Sequence, residues 1–343
     1  MKGRTNAQAT LTPEFFVNQN SREENMKTLS LVTGSIAGLA LISALAHAQS
    51  WTPPAPGQRC PSRWGATDER GAANLMTPES VLNASRLIRT GEVVELGRVL
   101  AMDMPMVGTR RFDMHTKRTG GPAGSNKRYT NEELVISEIG QVGTQFDMFS
   151  HQSIDNSHYN CFATDAITTR NGFTKLGVDK IGAIYSRGVL IDVAAAKGVD
   201  MLEAGYEITV EDLQAALKKQ GVSLRRGDAV LIHTGWGKLW GLDNARYNSG
   251  CPGIGIAAAE WLAKQDPILF GADNFPVEVA PNPDQALSLP IHQLALSVYG
   301  IFLLENMKLD ELAAKNVYEF AFVVQPLKIK GGTGSTVAPI AIR

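Results

Sequence analysis

Gln141, Gln145, Asp147 and His151 fall within eleven positions of one another, in the stretch EIGQVGTQFDMFSHQS from Glu138 to Ser153, and the whole chain holds only six histidines. A carboxylate and an imidazole on one face are the beginnings of a site for zinc or manganese. If the segment is extended, Gln145, Asp147 and His151 point the same way, because side chains two or four apart share a face of a strand. Phe146 would then face the other way and anchor the strand in the core. A hydrogen-bonded polar turn uses the same residue types in structural roles. Spacing by itself leaves both readings open.

The elements that would position these residues are legible around them. ELVISEIG (Glu133–Gly140) has the look of a strand, and Gly143-Thr144 makes a turn after it. TPESVLNASRLIRTGE predicts a helix with Thr77 as N-cap and Pro78 in its first turn, Val81, Ala84 and Ile88 on one face, and Gly91 as terminator. TVEDLQAALKKQG repeats the grammar, with a Thr209-x-x-Asp212 capping box and Gly221 as stop. RGVLIDVA, GDAVLIHTG, DPILFGAD and YEFAFVVQPLKI are short β-branched and aromatic runs bounded by Gly, Asp or Pro, which predict strands. The run Val230-Leu231-Ile232 predicts a central strand covered on both faces. Together they predict an α/β protein with a mixed sheet and helices packed on it.

Several chemistries are excluded by the motifs they require. The chain has no His-Glu-x-x-His, no Gly-x-Ser-x-Gly and no Walker loop. PGIGIAAAEWLA carries Gly253, Gly255 and Ala258 in the outline of a dinucleotide fingerprint, but it follows a long loop and not the strand of a βαβ unit, so it reads as a helix begun by glycine. KGGTGS (Lys330–Ser335) lacks a phosphate loop's ending and reads as a tight turn.

The chain has 343 residues, a net charge of −1, 44% hydrophobic and 20% charged residues, which argues for a folded core and against nucleic acid as a partner. From Met26, MKTLSLVTGSIAGLALISALAHAQS has a basic Lys27, a short apolar run and Ala46-His47-Ala48. That is the pattern of a secretory signal peptide over 26–48, cleaved after Ala48, with residues 1–25 a mis-assigned start. The protein is therefore expected to be exported to the periplasm, with no stable membrane insertion after processing. Residues 49–343 would form one domain. In an oxidising compartment Cys60, Cys161 and Cys251 can supply one disulfide and a spare thiol, or all three can serve as buried small hydrophobes. Their spacing matches no zinc site.

The Gly-Thr-Gln-Phe-Asp run followed by His151 resembles the signature of the cyclase family to which bacterial kynurenine formamidase, isatin hydrolase and a metal-dependent dienelactone hydrolase belong. Its usual form is His-x-Gly-Thr-His-x-Asp-x-Pro-x-His. RWGATDERGAANLMTPE and HQLALSVYGIFLLENMKLDEL resemble two further segments of longer members, so the likeness runs in order from about Trp64 to the end. It implies a swivelling β/β/α fold and places Asp147, His151, His292 and Glu305 as metal ligands, with His151 or His292 as the catalytic base. Gln141 and Gln145 stand where the signature has histidines, and Phe149 where it has proline. An amide oxygen is a weaker donor than imidazole, so the two glutamines are expected as weak ligands or as donors that orient Asp147.

The resemblance implies a metal-dependent hydrolase, using zinc or manganese, that opens an amide, lactam, lactone or ester bond of a small molecule in arylformamidase-like chemistry. A metal-free small-ligand binding protein and a true cyclase or dehydratase are the alternatives, and a homo-oligomer is compatible with each. His158 and Phe149 are candidates to line the substrate pocket, as is the Gly-rich stretch Phe112–Asn126. His47 lies in the signal segment, His115 in a charged loop, and His233 ends a strand as a core-edge histidine.

Overall fold

The computed structural model describes residues 50–343, so the predicted signal segment lies outside the described residues. Nine strands form one sheet, in the order Val93–Glu95, Ile340–Ile342, Glu319–Val324, Ile184–Asp192, Ala229–His233, Leu269–Ala272, Phe302–Glu305, Gln145–Asp147 and Gly334–Thr336. The four from Ile184–Asp192 to Phe302–Glu305 run parallel, and their neighbours on both sides pair antiparallel. This is the mixed sheet expected from the apolar runs, and Val230, Leu231 and Ile232 are fully buried at its centre. A strand covered on both faces needs no polar side, which is why its sequence reads as a continuous apolar run.

Both predicted helices form. Thr77 accepts a hydrogen bond from the Ser80 amide and caps Pro78–Ser85; Thr209 caps Val210–Gln220, and Gly221 closes that helix in the left-handed region at φ 69°. The first is shorter than predicted. Beyond Ser85 the amides of Leu87 and Ile88 bond carbonyls three residues back, and those of Thr90 and Gly91 bond the carbonyl of Arg343, which draws the chain out of the helix toward the C-terminal strand. Gly255 begins the helix Ile256–Ala263, in keeping with the plain-helix reading of that glycine pair. Among the described residues no helix is long and apolar enough to cross a membrane.

Two expectations need correction. Phe112–Ala123 pairs with Arg128–Ser137 as an exposed antiparallel hairpin, so the Gly-rich stretch is the first strand and tip of an arm, and His115 sits on it opposite Leu134. Cys60 and Cys161 are bonded to each other, not buried as small hydrophobes, and Cys251 is left as a buried free thiol.

Candidate metal centre

The strand Gln145–Asp147 lies between Phe302–Glu305 and Gly334–Thr336, antiparallel to both. Gln145 is directly opposite Glu305, so their side chains share a face. Phe146 points the other way into the core, its ring 4.9 Å from that of Phe302. The extended stretch ends at Asp147, however. His151 is brought back by a turn in which its amide bonds the Met148 carbonyl at 2.8 Å, so a turn and not strand alternation aims its ring. His292 arrives from the far side, on the short helix Pro290–His292.

One ligand atom from each of Asp147, His151 and His292 lies within 4.8 Å of the other two. Asp147 and His292 are buried, whereas His151 is partly open to solvent and its ring nitrogens accept or donate no hydrogen bond within the described residues. Glu305 stands outside this triplet and borders it, with Oε1 3.1 Å from His292 Nε2 and Oε2 accepting from Gln145 Nε2 at 2.7 Å.

The two glutamines form a chain into the carboxylates. Gln141 Nε2 donates to Asp147 Oδ1 at 3.2 Å, and its Oε1 accepts from Gln145 Nε2 at 3.2 Å and from Arg110 Nη2 at 3.2 Å. Gln145 turns its nitrogen toward Glu305 and Gln141, since both offer acceptors. Two buried atoms are then left without any partner, Asp147 Oδ2 and Gln145 Oε1. Orphaned acceptors of this kind are rare and costly. A cation between Asp147 and His292 would satisfy the first, and the donor set of one carboxylate, imidazole nitrogens and a bordering second carboxylate suits a divalent ion of the zinc or manganese type.

Glycine makes the packing feasible. A Cβ on Gly334 would stand 2.7 Å from the carbonyl oxygens of Gly140 and Phe146 and 3.1 Å from Gln141 Nε2. The KGGTGS segment thus supplies a flat strand against which Gln141 can lie.

Charge in the site is strongly coupled. Burial works against a proton on His292, but its bonds to Glu278 and Glu305 prevail and lift its pKa to about 10. Burial and the neighbouring Asp147 charge push Glu305 up to about 7 against the pull of His292. His151 is lowered, chiefly by burial and also by His292, while Asp147 opposes.

Two residues at the site escaped the sequence reading. Glu278 is fully buried; its carboxylate accepts from His292 Nδ1 at 2.6 Å and from the amides of Ile291 and His292 at 3.1 and 3.0 Å. That fixes the ring and presents Nε2 to the cluster. The one sequence signal was a lone acid inside the otherwise apolar FPVEVAP. Arg110 gave no signal at all. His233 was read as a core-edge histidine, but Nδ1 lies 2.9 Å from Asp192, while Nε2 faces Asp310 and Asp273 at 3.6 and 3.8 Å with no hydrogen bond.

Two expected pocket residues are elsewhere. Phe149 is wholly buried, stacked on Phe302 at 4.6 Å and tilted against Tyr159 at 4.6 Å, and is therefore core. His158 is tied by Nδ1 to the carbonyls of Gln152 and Phe149 at 2.8 and 3.2 Å and braces the loop that carries His151 without joining the triplet. A cavity of about 500 Å³ opens nearby, lined by Ile154, Asn156 and Gln293 among others.

Comparison with known proteins bears on family and fold. A family model described as "Putative cyclase" matches residues 94–279. The chain is similar to a crystal structure of a novel cyclase at 34% identity and a TM-score of 0.75, over 82% of this chain and 96% of that one. Isatin hydrolase A from Ralstonia solanacearum (24% identity, TM-score 0.52, 78% and 97% covered) and an isatin hydrolase bound to the product analogue thioisatinate (22%, 0.55, 78% and 98%) share the fold. No curated protein matches.

Proposed function

Because the chain belongs to the cyclase family, we propose that it is a metal-dependent hydrolase opening an amide, lactam, lactone or ester bond of a small molecule. The convergence of Asp147, His151 and His292 within 4.8 Å carries this reading. Asp147 and His292 would hold one zinc or manganese ion, with Glu305 beside the His292 nitrogen as a third ligand. A divalent ion so bound supplies an acidified water and a polarised carbonyl. His151 is the base: its lowered pKa leaves it neutral near pH 7, and its ring is free to take a proton from water and return it to the leaving nitrogen or oxygen. Gln141 and Gln145 orient Asp147 and Glu305 through their nitrogens. The fold likeness to isatin hydrolases is in keeping with a small carbonyl substrate.

The test is metal content of the purified protein together with a panel of aryl formamides, lactams and lactones, with product masses recorded. Bound zinc or manganese, turnover abolished by chelation, and products heavier by one water are expected. Protein without any divalent ion would favour the ligand-binding alternative. Loss of water from the substrate would favour a cyclase or dehydratase. The export reading belongs to the same proposal, supported by the Cys60–Cys161 disulfide; a mature N-terminus elsewhere than near Gln49 would overturn it.

A further inference from the structure

Arg59 is 7% exposed, and among the described residues its only hydrogen bond runs from Nη1 to the His158 carbonyl at 3.3 Å. Its Nε is buried without a partner, and no carboxylate of the described residues pairs with it. Burial lowers its pKa, with Asp155 the opposing charge. An unpaired buried guanidinium is unfavourable unless an anion meets it.

This side chain lines a cavity of about 680 Å³, within the usual range for small-molecule sites. Arg63 and Lys264 add two cations, and the lining contains a single carboxylate, Asp266, already paired with Arg63 at 2.6 Å. Trp64, with Arg63 stacked 4.2 Å over its ring, and Tyr299 offer flat apolar walls. The wall is held in place: the Cys60–Cys161 bond ties Arg59's neighbour to the loop beyond, and Asn160 bonds the Ser62 amide at 2.7 Å and the Gly65 carbonyl at 2.9 Å. Ile301 also lines it, just before the strand Phe302–Glu305. Glu305 is four positions further along, roughly 13 Å at the rise of an extended strand.

We infer that this cavity is a binding site for a small aromatic carboxylate, with the acid on Arg59 and the ring against Trp64 and Tyr299. It is separate from the metal centre and independent of the hydrolase proposal. The test is titration of the full chain with 4-fluorobenzoate, followed by fluorine NMR and calorimetry, with neutral 4-fluorobenzamide as control. Saturable binding with Kd below about 1 mM is expected, at least tenfold weaker for the amide and for Arg59→Met, and unchanged in Asp147→Asn. Should Arg59→Met not fold, Trp64→Ala and Lys264→Gln, at half-buried and exposed positions, should each weaken binding at least threefold. The inference is overturned by an absence of saturable binding, by equal affinity for the amide, or by full affinity in the cavity variants. Loss of binding in Asp147→Asn would overturn it too, since the acid would then sit in the metal centre.

Discussion

Two buried histidines stand among carboxylates in this fold, and only one is built to share its nitrogen. His292 has Nδ1 held by Glu278 and Nε2 turned toward Asp147, His151 and Glu305, where donors from three residues converge. His233 has Nδ1 held by Asp192 and Nε2 facing Asp310 and Asp273, but these donors do not close to a common point. Both sites arise at the C-terminal ends of parallel strands, which supply Asp192, His233 and Glu305, with Asp273 one residue beyond its own. The difference is the antiparallel strand Gln145–Asp147, which adds a carboxylate from the opposite direction. Composition makes a charged cluster; an approach from two sides makes one whose donors could share an ion.

The comparison can be broken at four points. Asp147→Ala, which removes the orphaned oxygen, should cost about a thousandfold in kcat/KM, the equivalent of ~4 kcal/mol, with folding intact by circular dichroism; an unchanged rate would remove Asp147 from the mechanism. Glu278→Gln keeps the shape but weakens the hold on His292. A fall of roughly 10–100-fold in metal affinity is expected, measured by competition with a chelator, and no change would show that the ring is positioned by packing alone.

His233 tests the other cluster. The hydrogen bond to Asp192 and the nearby Asp310 and Asp273 carboxylates, against the effect of burial, raise its pKa to about 10 from 6.5, so it is protonated in the folded protein. A raised pKa contributes stability that is complete below about pH 6.5 and is lost as pH rises toward 10. His233→Gln should therefore cost about 2 kcal/mol at pH 6.5 and little at pH 10, read from urea unfolding at the two values. Equal costs at both would mean that the imidazole is not charged. The smallest effect is expected from Gln145→His, which restores the family's imidazole beside Glu305: zinc should bind on the order of tenfold tighter, ~1.4 kcal/mol. No gain would show that this position takes no part in the metal site.

The sequence by itself determined the local pieces, because their causes are local. Thr77 and Thr209 cap helices through atoms three residues away, Gly221 ends one by adopting a left-handed φ, and the apolar run Val230–Ile232 could only be a strand buried on both faces. The signature around Asp147 marked which residues to watch. Tertiary structure alone decided what they do together. Phe149 looked like a pocket residue and became core because Phe302 and Tyr159 close on it; Glu278 looked incidental and became the support of His292, fourteen residues away, because two loops meet. His151 reached the cluster through a turn and not through strand alternation. The physical reason is one of range: capping and strand burial are fixed by neighbours along the chain, whereas convergence of ligand atoms within a few ångströms depends on how separate strands and loops are stacked, which no spacing in the sequence records.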